Sequence, residues 1–384
     1  MDSFYIVRQI TRALKDLKAP IRFFGDFIMA TRLFTSVLLA ALAAPMMASS
    51  QEPPPTAPRG AVAPDQNLPA HIRKLTSFGE RAEFSLDSKR VLFLTKTFGD
   101  VMEYDLTTGQ IRNLTSHFPN YGFTRAVFLA NGHILLAGPT EYDLKNPAAA
   151  RANCWMFILD PSSGKPPQPL NMKAAEGPVP SRKRMHLAWS QRAAAFPGEM
   201  APGSSRMYEA DIVYEGGIPK LANQKLILQS SDLPFRATLE PQNFRPPAET
   251  ELTLSAYDYQ QTEVFGIDLA TKKLTNYSNA PVVYDEPEGI FPDGKSTTVE
   301  SDHHNPAGKG FDRADIYRLT LDGSGTMQRL TCFAQVPTYR ASNPVVSDDG
   351  RYMAFQMGRS GVAAGTGWGI FLYDLKAAGP KPAC

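Results

Sequence analysis

Cysteine is scarce. Three occur in 384 residues, Cys154, Cys332 and Cys384. They are too few for a disulfide framework and show no metal-ligand spacing. Cys332 and Cys384 could pair if the last two structural units lie side by side, with Cys154 then a buried free thiol. Charge of one sign is lacking too: 40 Lys and Arg stand against 38 Asp and Glu, a net +2. The basic residues are scattered, so nothing favours nucleic acid as a partner. No apolar run is long enough to span a bilayer, since the longest extends only from Leu33 to Ala44. There is no G-x-S-x-G stretch and no alternating helix–strand pattern after the last apolar run, so a hydrolase of that type is not expected. Proline and glycine are abundant, at 32 and 28, and imply many turns.

The N-terminus reads as a targeting segment. "MATRLFTSVLLAALAAPMMASS", residues 29–50, runs from a basic start at Arg32 through an apolar stretch to the small residues Ala48-Ser49-Ser50. That order fits a secretory signal peptide with a cut after Ser50. Residues 1–28 are then an over-called start or a long n-region; an amphipathic membrane helix using Ile6, Ile10, Leu14 and Leu17 is the alternative. Residues 51–68, rich in Pro, Ala and Gln, read as a disordered linker. The expected product is periplasmic or secreted, monomeric, and without a membrane span once the signal is removed.

The remainder repeats, and the repeat decides the fold class. One unit is an apolar strand, a tight turn, a β-type strand, a loop, a third strand, a second turn and a short last strand. "NPVVSDDGRYMAFQMG" with "WGIFLYDL" is the clearest copy; "AEFSLDSKRVLFLT" and "PEGIFPDGKSTTVESD" stand beside it. The short last strand recurs at Leu75, Leu114, Leu170, Leu226, Leu274 and Leu330, which makes six. The first precedes any complete unit, and the final unit lacks one. The expectation is therefore an all-β, six-bladed propeller over residues 69–379. Its blades are four-stranded and antiparallel, and the N-terminal strand closes the ring and hides two open sheet edges.

"FSLDSKRVLF", "VVSDDGRYMAF" and "IFPDGKSTTV", with "MEYDLTTGQIRNLT" and "GIDLATKKLT", resemble the TolB-like, WD-like propeller repeats of exported bacterial proteins. The resemblance covers residues 71–375. It implies a six-bladed propeller and usually a binding role. The third and fourth units lack the Asp-Gly turn, which leaves their blade boundaries open.

The polar stretch "EGIFPDGKSTTVESDHH", residues 288–304, divides on this frame. Asp293-Gly294 is a hairpin turn, as are Asp348-Asp349-Gly350 and Asp322-Gly323, and their chemistry is backbone geometry. Glu286 and Glu288 enter the inner strand of the fifth blade on the opposite face. His303 and His304 begin a loop on that face. Arg125 is read as holding an inner-strand place in the second blade and Arg81 the same place in the first, while Tyr339 and Arg340 lead into the sixth. His186, in "RKRMHLAWS", is read as lying on the inner strand of the third. Together these residues would line a loop-rich face and axial funnel suited to a protein, peptide or glycan ligand. The competing reading is that channel charges only pair through water. No cofactor is expected. A divalent metal on the histidines is the weaker alternative, since no third ligand stands at a fixed spacing. It belongs to a second functional reading, a polysaccharide-degrading enzyme of the oligogalacturonate-lyase type.

Overall fold

The computed structural model describes residues 62–379 apart from 144, 176, 306–309, 361 and 363–364. The signal peptide expected over residues 29–50, the region before it and Cys384 lie outside the described residues. Six four-stranded antiparallel sheets form the blades of a propeller. Their inner strands are Glu80–Phe84, Arg125–Phe128, Val179–Pro180, Thr238–Phe244, Asp285–Ile290 and Tyr339–Val346. In the sixth sheet the outermost strand is Ile72–Lys74, with Ile72 opposite Tyr373 and Lys74 opposite Phe371.

The repeated sequence signals each close a specific backbone hydrogen bond. In the "D-L-x-T" turns, Asp105 Oδ1 accepts from the N–H groups of Thr107 and Thr108, both at 2.8 Å. Asp268 and Asp374 do the same in their blades. The "L-T" threonine caps the third strand of three blades; in the fourth, Ser278 Oγ takes its place and accepts from Val264 N at 2.9 Å. Thr115 Oγ1 accepts from Val101 N at 3.0 Å, and Thr331 Oγ1 from Ile316 N at 2.9 Å. Thr76 Oγ1 accepts from Ile370 N at 3.0 Å. The N-terminal segment thus makes, 294 residues away in sequence, the contact that its counterparts make locally.

Between blades lie the apolar layers. Leu92, Phe93, Leu94, Phe128, Leu135, Trp189, Phe355 and Phe371 are all fully buried. Phe355 stacks on Phe371 and Phe333 meets both edge-on between the fifth and sixth blades, with centroids 5.3–5.4 Å apart.

Two expectations need correction. The inner strand of the third blade is only Val179–Pro180, and His186 begins the second strand, His186–Arg192. A two-residue strand containing proline carries no apolar run to be recognised. Residues 62–68 are not a disordered linker. Pro64–Gln66 makes a 3-10 turn, Asp65 accepts from Lys74 Nζ at 2.7 Å, and Leu68 packs on the core of the sixth blade. Their polar, proline-containing composition is satisfied by a turn. Cys332 is disulfide-bonded and Cys154 is a buried free thiol.

The turn at Gly294 shows why Asp-Gly recurs. Its φ is +67°, and a Cβ there would sit 1.8 Å from the Pro246 carbonyl oxygen of the neighbouring blade. Gly294→Ala is expected to lower stability by about 2 kcal/mol or more, adding a clash to the left-handed backbone cost. Chemical denaturation of the two proteins measures it.

Candidate functional site

The first-to-second-strand turns lie on one face of the disc, and the loops joining blades lie on the other. The axial channel opens to both. On the loop face a funnel of about 330 Å³ is lined by Arg81, Arg125, Arg192, Glu240, Tyr257, Tyr284, Glu286, Glu288, Phe311 and Asn343, with Thr238 and Asp258 at its edge. These residues come from all six blades.

Backbone irregularity aims several of them. Four inner strands carry a register shift: Glu80/Glu83, Pro241/Asn243, Pro287/Ile290 and Ser342/Val345. A bulge of this kind bends the strand and re-aims a side chain. At two of these bulges, Arg81 and Asn343 hold left-handed backbone, φ 54° and 47°. Such a conformation costs non-glycine residues about 1–2 kcal/mol each and has to be held by its surroundings. Arg81 N donates to Gln356 Oε1 at 2.6 Å, and Asn343 N to Glu300 Oε1 at 2.5 Å.

Carboxylates dominate the fifth-blade wall. Glu286 accepts hydrogen bonds from the hydroxyls of Tyr257 and Tyr284. Burial first, and then the nearby charge of Glu288, push its carboxyl up to about 7. Burial also raises Glu288. Glu300, fully buried behind them, is pushed well above the usual carboxylate range by burial and by Glu286 and Glu288. Both tyrosines are raised for the same reasons, burial above all. Glu240 is held by Arg192 at 2.7 Å.

Arg125 differs from its neighbours. Its side chain makes no hydrogen bond or close ion pair among the described residues, its Nε is buried without a partner, and the charges of Glu288 and Glu83 act on it from a distance. It lines the inner end of the funnel together with Glu288. Glu288 accepts from Asn343 Nδ2 at 2.9 Å on one oxygen only. The waist of the channel therefore offers one charged fork and one carboxyl oxygen with hydrogen-bonding capacity in reserve.

The structure brings Arg81, Arg125, Glu286 and Glu288 together and separates the rest of the expected set. His186 hydrogen-bonds Asp211 at 2.7 Å and Glu209 at 3.2 Å and packs on Phe244. It sits at the turn-face end of its strand as a buried structural group. His304 Nδ1 lies 3.1 Å from the Tyr317 hydroxyl, and both His303 and His304 pack their rings on Tyr317, on the third strand of the fifth blade. Their loop folds outward along the blade, away from the axis. Arg340 is largely buried behind the funnel wall, 4.2 Å over the Phe311 ring and 3.4 Å from Asp312, with the charge of Glu300 acting on it. Tyr339 packs under Arg359. Tyr257, Arg192, Glu240 and Asn343 escaped sequence reasoning. Two end the second strands of worn units, one hides in the proline-interrupted "ATLEPQNF", and one is aimed only by a bulge.

The raised carboxyls set a pH dependence. A carboxyl with a higher pKa folded than unfolded binds more protons in the folded state between the two values, so its contribution to stability falls as pH rises through that window. For Glu286 the window runs from the ordinary value of 4.5 to about 7. His304, lowered to about 4 by burial, acts in the opposite sense below pH 6.5. The wild type is therefore expected to gain melting temperature between pH 8 and pH 6.5, and Glu286→Gln to flatten that slope. Thermal melts across the interval measure it.

No family model matches the chain, and no curated protein matches it significantly. Solved structures do match. A putative TolB from Agrobacterium tumefaciens shares 15% identity at TM-score 0.50, covering 70% of this chain and 95% of that one. TolB from Acinetobacter baumannii shares 16% at TM-score 0.43, and the match covers 75% of this chain but only 63% of that one. An oligogalacturonate lyase from Vibrio parahaemolyticus shares 14% at TM-score 0.47, covering 80% and 79%. The chain has the TolB-like six-bladed propeller fold. No helix among the described residues is long and apolar enough to cross a membrane.

Proposed function

We propose that the protein is an exported, ligand-binding propeller that takes an acidic group of a protein, peptide or glycan ligand into its loop-face funnel, without turning it over. The observation that carries this reading is Arg125. A guanidinium at the waist of the channel that feels the charge of Glu288 and Glu83 but makes no side-chain hydrogen bond, its Nε buried, leaves a hydrogen-bonding fork for a ligand to fill. A carboxylate matches its planar fork. Glu286 and Glu288, held up by burial, can donate to a ligand oxygen when protonated and accept from a hydroxyl or amide when ionised. Tyr257 and Tyr284 fix the Glu286 carboxyl, so the wall is pre-organised. The basic, apolar, small-residue order of residues 29–50 supports export to the periplasm or beyond.

The test is binding to arrays of peptides and glycans with acidic and neutral members, followed by calorimetry on the best binder. Acidic members are expected to dominate, with binding lost in Arg125→Ala. Binding to neutral members alone would overturn the reading. So would ultraviolet absorbance growing on uronate oligomers, the mark of an unsaturated lyase product.

A further inference from the structure

The other mouth of the channel is a chemically different cavity. It measures about 350 Å³ and opens on the turn face. Its walls are mixed: Val127, Val179, Phe244, Ile290, Val345 and Val346, with prolines between them, make an apolar part, and Gln242, Asn243 and charged side chains make up the rest. The volume lies at the small end of the ligand-pocket range, roughly 300–1,000 Å³.

Its rim is built. Arg182, in the turn between the first two strands of the third blade, reaches across to two other blades. It donates to Glu83 of the first at 2.9 Å and to Asp348 of the sixth at 2.6 Å, and also to the Phe84 carbonyl at 3.1 Å. Glu249 accepts from Ser181 Oγ at 2.6 Å and from Arg182 N at 3.1 Å. Lys183 Nζ donates to the Pro247 carbonyl. Three of the four carboxylates lining this cavity thus have partners of their own, and the fourth, Glu288, stands at the waist. Arg125 lines this cavity as well as the funnel. It is the cation whose charge no hydrogen bond meets among the described residues.

We propose that the turn-face cavity is a second binding site, for a small amphiphilic monocarboxylate. Its acid group meets Arg125 at the waist, and its hydrocarbon body lies against Val127, Phe244, Ile290 and Val345. Glu288 beside Arg125, raised by burial, supports this by donating to the incoming carboxylate when protonated. Because both mouths end on Arg125, an acid held from the turn face and an acidic ligand held from the loop face exclude one another. The site stands on its own walls and does not require that the funnel have a natural ligand.

The experiment is calorimetric titration of the full chain with acetate, hexanoate, octanoate and octanol. Octanoate is expected to bind one per chain. Each added methylene from hexanoate to octanoate should tighten binding about fourfold, the scale for burying a CH₂. Octanol should bind at least roughly tenfold more weakly, because it forms no charge-assisted hydrogen bond. Val346→Trp, which fills the cavity, should abolish octanoate binding, whereas Glu286→Gln, in the funnel, should keep it. Methyl NMR of the wild type gives an arm free of any folding defect, with Ile290 and Val345 methyl signals expected to shift on octanoate addition. Octanol binding as tightly as octanoate, octanoate binding retained by folded Val346→Trp, or unshifted Ile290 and Val345 methyls would each overturn the proposal. Loss of the array-selected ligand in Glu286→Gln, with octanoate binding intact, would bear on the funnel and not on this cavity.

Discussion

Deletion of residues 62–78 is expected to lower the melting temperature by more than about 10 °C or to prevent folding altogether. The segment fills the outer place in the sixth sheet, with Ile72 buried at 5% exposure and opposite Tyr373. Leu68 and Leu75 pack partly against the neighbouring core layers. Each such apolar side chain contributes about 1.5–3 kcal/mol when fully buried. The Thr76–Ile370 hydrogen bond adds about 1 kcal/mol. A loss of roughly 5 kcal/mol is comparable to the whole stability of many domains, and at about 2–4 °C per kcal/mol it gives the shift stated. The deletion also leaves Ile370–Asp374 as a bare edge strand, so aggregation should accompany unfolding. Thr76→Val is the graded control, expected to cost about 1 kcal/mol. A truncated protein that melts cooperatively at the wild-type temperature would show that the ring does not depend on this strand.

The second large effect concerns the waist. Arg125→Ala is expected to weaken binding of an acidic ligand by about 10- to 150-fold, the range that follows from roughly 1.5–3 kcal/mol for a hydrogen bond to a charged group. Folding stability should fall less than affinity, because the substitution removes no side-chain hydrogen bond, only the charge that acts on Glu288 and Glu83. Arg125→Lys should recover part of the affinity, since it restores charge without the planar fork. Calorimetry with the array-selected ligand, paired with thermal melts, measures both. An Arg125→Ala protein that binds normally would remove the reason for assigning the site to the channel.

The repeat was legible because its signals recur at fixed places. Asp105, Asp268 and Asp374 mark turns by capping their own following amides, and Thr76, Thr115 and Thr331 mark the strand that follows. The aspartates act on amides two and three residues on, whereas the threonines recur at one place after each short last strand although the amides they cap lie 14, 15 and, for Thr76, 294 residues away. The candidate site was legible only in part, because it is assembled across blades. Glu286 and Glu288 could be placed, since they flank a recognisable turn on a clear strand. His186 could not. The third blade's inner strand is two residues long, and the stronger apolar run after His186 is the second strand. His303 and His304 were placed on the correct side of their strand, but the direction of their loop is set by Tyr317, which lies 13 residues beyond His304. Asn343 owes its aim to a bulge, and an extra residue in a strand leaves no period to read.

The most direct test of the account is a crystal structure of the protein with an acidic ligand selected on the arrays. The account predicts the ligand's carboxyl group within about 3 Å of the Arg125 guanidinium, reached from the loop face and flanked by Glu286 and Asn343. Ligand density on the outer loop over His303 and Tyr317, with Arg125 unchanged and uncontacted, would contradict it.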